Sequence, residues 1–217
     1  MPQQPARHWI DGDWVAQGNV RATTDVFTGK DHRRYCCGGA DIAQRAIESA
    51  RRAFEHTAWA HQPRQRAAAL SQLADAIERR AGEISQTIAI ENGKVLAHCI
   101  AETRAAISEC RYYSGLARAI FGRVAEIDEG KQSVFSREAV GVASIIVPWN
   151  APSTLLIRAL APALAAGCTI VVKGAHQTAW VTHLYAQCVS ECAAIPDGVV
   201  NFVHGELEVS TTLCAHP

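Results

Sequence analysis

Apolar residues recur along the chain in two rhythms. From Asp41 onward Ile42, Ala46, Ile47, Ala50 and Phe54 repeat at three and four residues, the spacing of an amphipathic helix, with Asp41 as its cap. A second helix starts near Pro63, a residue suited to a first helical turn, and carries Ala69, Leu70, Leu73, Ala74 and Ile77 on one face. A third covers 81–90 and stops at Asn92-Gly93, a C-terminal cap; a fourth covers 95–120. The four apolar stripes predict a packed helical layer. The charges Arg64, Arg66, Glu78, Arg79 and Arg80 read as its solvated surface.

The second rhythm belongs to strands. Residues 8–15 alternate around Asp11-Gly12, a short hairpin signal. Residues 16–39 are mixed and rich in turn formers, which predicts a connecting arm. Residues 122–138 read as a ribbon: Val124, Ile127, Val134 and Phe135 flank the turn 128–131. Continuous apolar runs at 143–147, 169–172 and 199–203 alternate with helical segments at 153–166 and 179–193. Runs of that kind belong to strands covered on both faces in a parallel sheet, so this part is βαβαβ, half of a doubly wound nucleotide-binding fold. Its first strand lacks the Gly-x-Gly-x-x-Gly fingerprint and continues instead into Pro148-Trp149-Asn150-Ala151-Pro152.

Composition narrows the function. With 217 residues, 48% hydrophobic and 19% charged, the chain is globular, and its length allows a sizeable core. Twenty-one basic residues balance twenty-one acidic ones, so no global field favours nucleic acid or an anionic membrane. The opening residues lack a secretory apolar stretch, and Arg158 and Pro162 interrupt the most apolar segment, so no membrane span and a cytoplasmic location are expected. Eight cysteines then read as reduced thiols. Cys36-Cys37 and the Cys188/Cys192 pair lack partners at zinc-site spacing, none of the eight sits in a nucleophile motif, and no metal site is expected. His98, His176, His183 and His204 read as core or solvent histidines.

The stretch Arg137-Glu138-Ala139-Val140-Gly141-Val142 through Ile146-Val147-Pro148-Trp149-Asn150 resembles the aldehyde dehydrogenase superfamily. The resemblance continues through Ala161-Pro162-Ala163-Leu164-Ala165-Ala166-Gly167-Cys168-Thr169-Ile170-Val171-Val172-Lys173, Gln177-Thr178 and 195–205. Thr28-Gly29-Lys30, Glu91-Asn92-Gly93-Lys94 and Arg111-Tyr112-Tyr113 are similar to the family's amino-terminal half. It implies an α/β fold: an amino-terminal helical layer plus the βαβαβ part of a doubly wound, Rossmann-like cofactor domain, with a projecting β-hairpin. The expected organisation is 1–120 as hairpin and helical part, 121–139 as an oligomerisation arm and 140–217 as a partial cofactor-binding domain, the catalytic domain being absent.

The resemblance also implies an NAD(P)-dependent oxidation of an aldehyde to a carboxylic acid. Asn150 follows the first parallel strand at its carboxyl end, where open α/β sheets place ligands. In the family this asparagine donates to the oxyanion, whereas on its own it reads first as a helix cap. Lys173 ends the second strand; the family uses it for the adenosine ribose, and alone it is a solvated strand-end lysine. Ile146, Val147, Pro148 and Trp149 would wall the cofactor cleft.

Three departures stand out. Gly174-Ala175-His176 follows the lysine, and His176 occupies the place of a glutamate that favours NAD, which leaves NAD or NADP open. Ala139 replaces a common proline. After Gly205 the segment 206–210 lacks the glycine usual at the next helix start, and its two acids, Glu206 and Glu208, would repel a phosphate. The family's nucleophilic cysteine and base glutamate are missing. The chain is therefore expected to be an amino-terminal portion that is inactive alone, with a small-molecule aldehyde as substrate in the complete family. The alternative is a non-catalytic subunit that pairs through its hairpin with itself or with a full-length relative. A half-built sheet further predicts marginal stability.

Overall fold

A computed structural model describes residues 4–216. The opening hairpin is present as β1 (His8–Ile10) and β2 (Asp13–Val15). Asp11 and Gly12 both take positive φ, 58° and 80°, the conformation of a two-residue turn whose twist matches its strands. Asp11 is tied down there: its carboxylate accepts from Ser49 Oγ at 3.0 Å and Arg52 Nη2 at 2.9 Å, and its amide donates to Asn201 Oδ1 at 3.0 Å.

Residues 16–39 differ from the expected arm. They form a two-stranded antiparallel ribbon, β3 (Asn19–Asp25) and β4 (Lys30–Cys37), with an irregularity between Ala22 and Thr24. Mixed polarity hid it, because most β3 side chains are exposed and no face repeats. The ribbon matters to the site, since its end meets the main sheet where Gly38 N donates to His204 O at 2.9 Å.

The helices are α1 (Ala40–His56), α2 (Pro63–Arg79), α3 (Ala81–Asn92) and α4 (Leu96–Leu116). Gly39, not Asp41, is the N-cap of α1. The ribbon at 122–138 is β5 (Arg123–Asp128) paired with β6 (Lys131–Phe135). Then come β7 (Val142–Ile146), α5 (Pro152–Ala166), β8 (Thr169–Lys173), α6 (Ala179–Ser190), β9 (Val200–Val203) and α7 (Leu207–Ala215). The parallel strands and their crossover helices thus stand where the apolar runs place them.

One five-stranded sheet has the order β2-β1-β9-β8-β7. β7, β8 and β9 are parallel, and the opening hairpin joins antiparallel to β9 through Trp9 and Phe202. Buried Asn201 fastens this junction: its amide donates to Gly198 O at 2.7 Å and Ile170 O at 3.3 Å while its oxygen holds Asp11. β8 and β9 are wholly buried, but β7 is only partly so, with Ser144 and Ile146 exposed along an edge that pairs with no other strand among the described residues.

The first four helices do not make one layer. Val171 and Val203 point to one face, under Ile42, Ala46 and Ala50 of α1 and Val209 and Leu213 of α7. Ile170, Val172, Val200 and Phe202 point to the other, under α5 and α6, outside which α2, α3 and α4 pack. Arg66 also departs from the solvated face. It is 6% exposed and donates through Nε to Ala165 O and through Nη1 to Trp59 O and Ala60 O. His183 and His204 are buried and His98 is exposed. Among the described residues no helix is long and apolar enough to cross a membrane.

Candidate functional site

Parallel strands with right-handed crossovers leave their carboxyl ends on one edge of the sheet, with the N-termini of the following helices facing the same way. Here that edge is made by Ile146, Lys173 and Val203, the last residues of β7, β8 and β9. Register pairs Ile146 with Lys173 and Lys173 with Val203. Val147 extends the pairing by one bond, its amide donating to Lys173 O at 2.9 Å. Val147 is buried, and beyond it Pro148, Trp149 and Asn150 emerge into solvent, Trp149 half exposed. Ile146 is 42% exposed on the outer edge.

Asn150 does not cap α5. The N-cap is Ala151, without a side-chain bond, and the amides of Ser153 and Thr154 donate to Oε1 of Glu102 at 2.9 and 3.3 Å. A carboxylate there suits the positive end of the helix dipole. With that post filled from α4, the Asn150 amide makes no hydrogen bond among the described residues and stays available as a neutral donor at the edge.

Lys173 is buried by its neighbours, 7% exposed, and its ammonium makes no hydrogen bond among the described residues. Burial lowers its pKa, opposed by the nearby Cys37 and Glu206. Glu206, at the turn from β9 into α7, is held by an ion pair with Arg21 of β3. One of the two acids at that turn is therefore already matched by a cation, and the β3–β4 ribbon supplies it. His176 begins a short 3₁₀ turn, His176–Thr178, and is exposed.

The start of α6 is held by a second carboxylate. Glu91 of α3, 3% exposed, accepts the Val181 amide at 3.2 Å through Oε2, and its buried Oε1 has no hydrogen-bond partner among the described residues. Burial pushes this carboxyl up to about 7, against the pull of the Val181 amide and of Arg33. Sequence reading missed both Glu91 and Glu102 as parts of the edge, because it sought helix caps among adjacent residues and these come from other helices.

Burial works against a nucleophilic role for six of the eight thiols. All eight cysteines are free, and burial pushes Cys188 and Cys192 up to about 12 and Cys110 higher still. Cys36, Cys37 and Cys99 are raised by the same cause. Among the described residues no three histidine, cysteine or acidic side chains are grouped to hold a metal. The edge thus presents a free amide and a desolvated ammonium, donors suited to an oxyanion and to hydroxyl or phosphate oxygens.

Comparison with known proteins gives this edge a context. The family model described as "Aldehyde dehydrogenase family" matches residues 14–217. A geranial dehydrogenase of Castellaniella defragrans is 33% identical over 96% of this chain and 45% of its own length. An aminoacetaldehyde dehydrogenase of Pseudomonas aeruginosa is 34% identical over 98% of this chain and 44% of its own. Among solved structures, an NAD+ complex of aldehyde dehydrogenase from Bacillus cereus superposes with a TM-score of 0.94 at 32% identity, covering 98% of this chain and 44% of that one. Betaine aldehyde dehydrogenase from Staphylococcus aureus with NAD+ gives 0.93 at 29%, over 97% and 43%. The chain spans less than half the length of these relatives.

Proposed function

The chain belongs to the aldehyde dehydrogenase family, and we propose that it supplies the cofactor-facing wall and the oxyanion donor for an NAD(P)-dependent oxidation of an aldehyde to a carboxylic acid. The observation that carries this reading is the pairing of two free donors, Asn150 and Lys173, on the carboxyl edge of a parallel sheet. The donor set fits the cofactor: a lysine 7% exposed, whose ammonium has no hydrogen-bond partner among the described residues, matches a ribose hydroxyl, and the exposed loop 148–150 offers apolar surface. NAD or NADP, when bound, accepts a hydride from the aldehyde carbon.

The chain's own residues do the rest of what is assigned here. Lys173 donates to the ribose, and Ile146, Val147, Pro148 and Trp149 form the wall that fixes where the cofactor lies. Asn150 donates to the aldehyde oxygen as it gains charge; a neutral donor already held in place gives stabilisation that grows with that charge. His176, exposed at the start of the 3₁₀ turn after β8, cannot accept from two hydroxyls as a carboxylate does, so neither NAD nor NADP is strongly preferred. Burial raises six of the eight thiols and none of the eight sits in a nucleophile motif, which supports a chain that alone does not turn over aldehydes.

Titration of the chain with NAD and with NADP, followed by Trp149 fluorescence and ligand-observed NMR, tests the assignment. Lys173→Met should weaken binding about tenfold or more, the loss expected for one charge-assisted hydrogen bond. Absence of binding by the unaltered chain, or equal binding by Lys173→Met, counts against the cofactor wall. Turnover of an aldehyde, abolished by Asn150→Ala, would overturn the claim of inactivity and leave the oxyanion role standing.

A second reading has its own observation. In β5 and β6, Val124 and Val134 face each other across the ribbon, and with Ile127 and Phe135 they are all more than half exposed. A two-stranded ribbon is marginal by itself, and apolar side chains on it invite a partner. We propose that residues 121–139 pair with a second copy of the chain or with a longer relative. Sedimentation should show a species larger than the monomer that the double substitution Val124→Asp and Val134→Asp converts to monomer. A monomer at all concentrations for the unaltered chain would remove this reading.

A further inference from the structure

Glu91-Asn92-Gly93-Lys94 lies at the end of α3, remote in sequence from both donors of the edge, and the function assigned above leaves it without a task. Its geometry gives it one. Gly93 ends α3 at φ 81°, so the residues before and after it diverge. Glu91 reaches the first turn of α6 through the Val181 amide at 3.2 Å. Asn92 Nδ2 donates to the carbonyl oxygen of Trp149, the residue directly before Asn150. Lys94 Nζ lies 2.6 Å from Oε2 of Glu102, whose other oxygen takes the Ser153 and Thr154 amides that follow Asn150.

Asn150 itself is held by no side-chain bond, yet it is fixed on both sides: by Asn92 one residue earlier and by Glu102 three residues later. We infer that Asn92, Lys94 and Glu102 are positioning residues for Asn150, and that Glu91 performs the same service for the loop from Lys173 into α6. The inference rests on the oxyanion role of Asn150 for its functional meaning, but the clamp is a claim about order and stands or falls separately. Three features support it beyond proximity. Glu102 is 9% exposed, so water does not compete well for its two oxygens. Lys94 pairs with it, and a carboxylate suits the positive end of α5. And the same tetrapeptide touches both crossover loops, so a single rigid helix end sets the spacing between the two donors.

A donor must be held to a fraction of an ångström to stabilise a developing charge well, and a loop of exposed residues does not do that unaided. The clamp supplies that rigidity from three contacts. Each contact can be removed without touching Asn150.

Amide hydrogen exchange and NMR order at Asn150, measured on the chain, decide the matter. Glu102→Ala should speed exchange at Ser153 and Thr154 at least tenfold and raise the mobility of the Asn150 side-chain amide, with Val181 unchanged. Glu102→Gln keeps an acceptor oxygen and should restore much of the order, whereas Glu102→Met, of similar size but without an acceptor, should not; equal rescue by both would mean that packing alone holds the loop. Glu91→Ala should loosen Val181 and spare Ser153. Should Glu102→Ala fail to fold, Lys94→Met and Asn92→Ala carry the test, each raising Asn150 mobility while the core stays protected. Unchanged order at Asn150 in all variants, or uniform loosening of α5 and α6 by any one of them, overturns the inference. Loss of cofactor binding in the Lys173 titration leaves it untouched.

Discussion

Arg66→Ala should cost the chain about 4 kcal/mol of folding free energy, as read by urea denaturation, an order-of-magnitude figure for three buried carbonyls losing their donor at about 1–3 kcal/mol each. The guanidinium reaches Ala165 O at 3.0 Å, Trp59 O at 3.1 Å and Ala60 O at 2.7 Å. It thereby ties the short turn Trp59–His61 to the end of α5. Trp59 adds a bond of its own, Nε1 to Cys168 O at 3.0 Å, so this corner fixes the start of β8 and with it the frame that carries Lys173. Arg66 is 6% exposed, at a surface cleft it lines with Ala60 and Ala166, and domains of this size have only about 5–15 kcal/mol to lose. Arg66→Lys should recover less than half, because a point-like ammonium cannot reproduce a planar fork that serves three acceptors. A loss below about 1 kcal/mol in Arg66→Ala would mean that water replaces the guanidinium and that the corner is not held as described.

Arg66 also shows where reading the sequence succeeds and where it stops. It sits beside Arg64, and near Arg79 and Arg80 in the same helix, and nothing in composition separates them. Only the arrival of α5 over one flank of α2 buries one arginine and leaves the others wet. The parallel strands were legible because a strand covered on both faces must be apolar throughout, a local signal. The opening hairpin was legible from Asp11-Gly12, whose positive φ values few other residue pairs tolerate. The β3–β4 ribbon was not, since a pair of strands with most side chains in solvent shows no apolar face. Nor was the split of the helices to two sides of the sheet, which depends on which face of β8 and β9 each helix meets.

The candidate site divides the same way. Asn150 and Lys173 are placed by chain position alone: the last residue of a parallel strand, or the loop just beyond, must lie on the ligand edge. What holds them comes from Glu102, 51 positions before Ser153, and Glu91, 90 positions before Val181. Helix N-termini are ordinarily capped from within the preceding few residues, and when the cap arrives from another helix only the assembled fold reveals it. Asn150 is free to serve a ligand because the capping role it could have taken is filled from a distance.

Acid should unfold the chain sharply as pH falls from about 6.5, the usual imidazole range, toward 4.5. Three histidines meet in the core where β1, β9 and α6 converge: the rings of His8 and His204 are 5.7 Å apart, and those of His183 and His204 6.3 Å. Burial lowers the pKa of all three, His183 to about 4 and His204 well below its ordinary value. His8 is held neutral by geometry as well, since its Nδ1 accepts the His204 amide at 3.0 Å while Nε2 faces Gln17 O at 3.0 Å; a proton on Nδ1 breaks the first bond. A depressed histidine pKa means the unfolded chain binds protons that the folded chain refuses, so this stability is present above the unfolded pKa and is lost as pH falls. Glu91 works against it: raised to about 7, it favours the folded state at low pH and withdraws that support as pH rises through 7. His183 and His204 each refuse a proton across this range and Glu91 binds one, so the net is about one proton, and at about 1.4 kcal/mol per proton per pH unit stability falls by about 1.4 kcal/mol for each unit of acidification between 6.5 and 4.5, with His8 adding to the loss in the same direction. Melting temperature should therefore peak near pH 7 and drop steeply below 6, and His183→Phe, which keeps a ring between Trp14 and Trp180, should remove about one proton from that slope. A melting temperature that stays level between pH 7 and 5 would show that these histidines take up protons in the folded chain, and that the core joining the opening hairpin to the sheet is far looser than its packing implies.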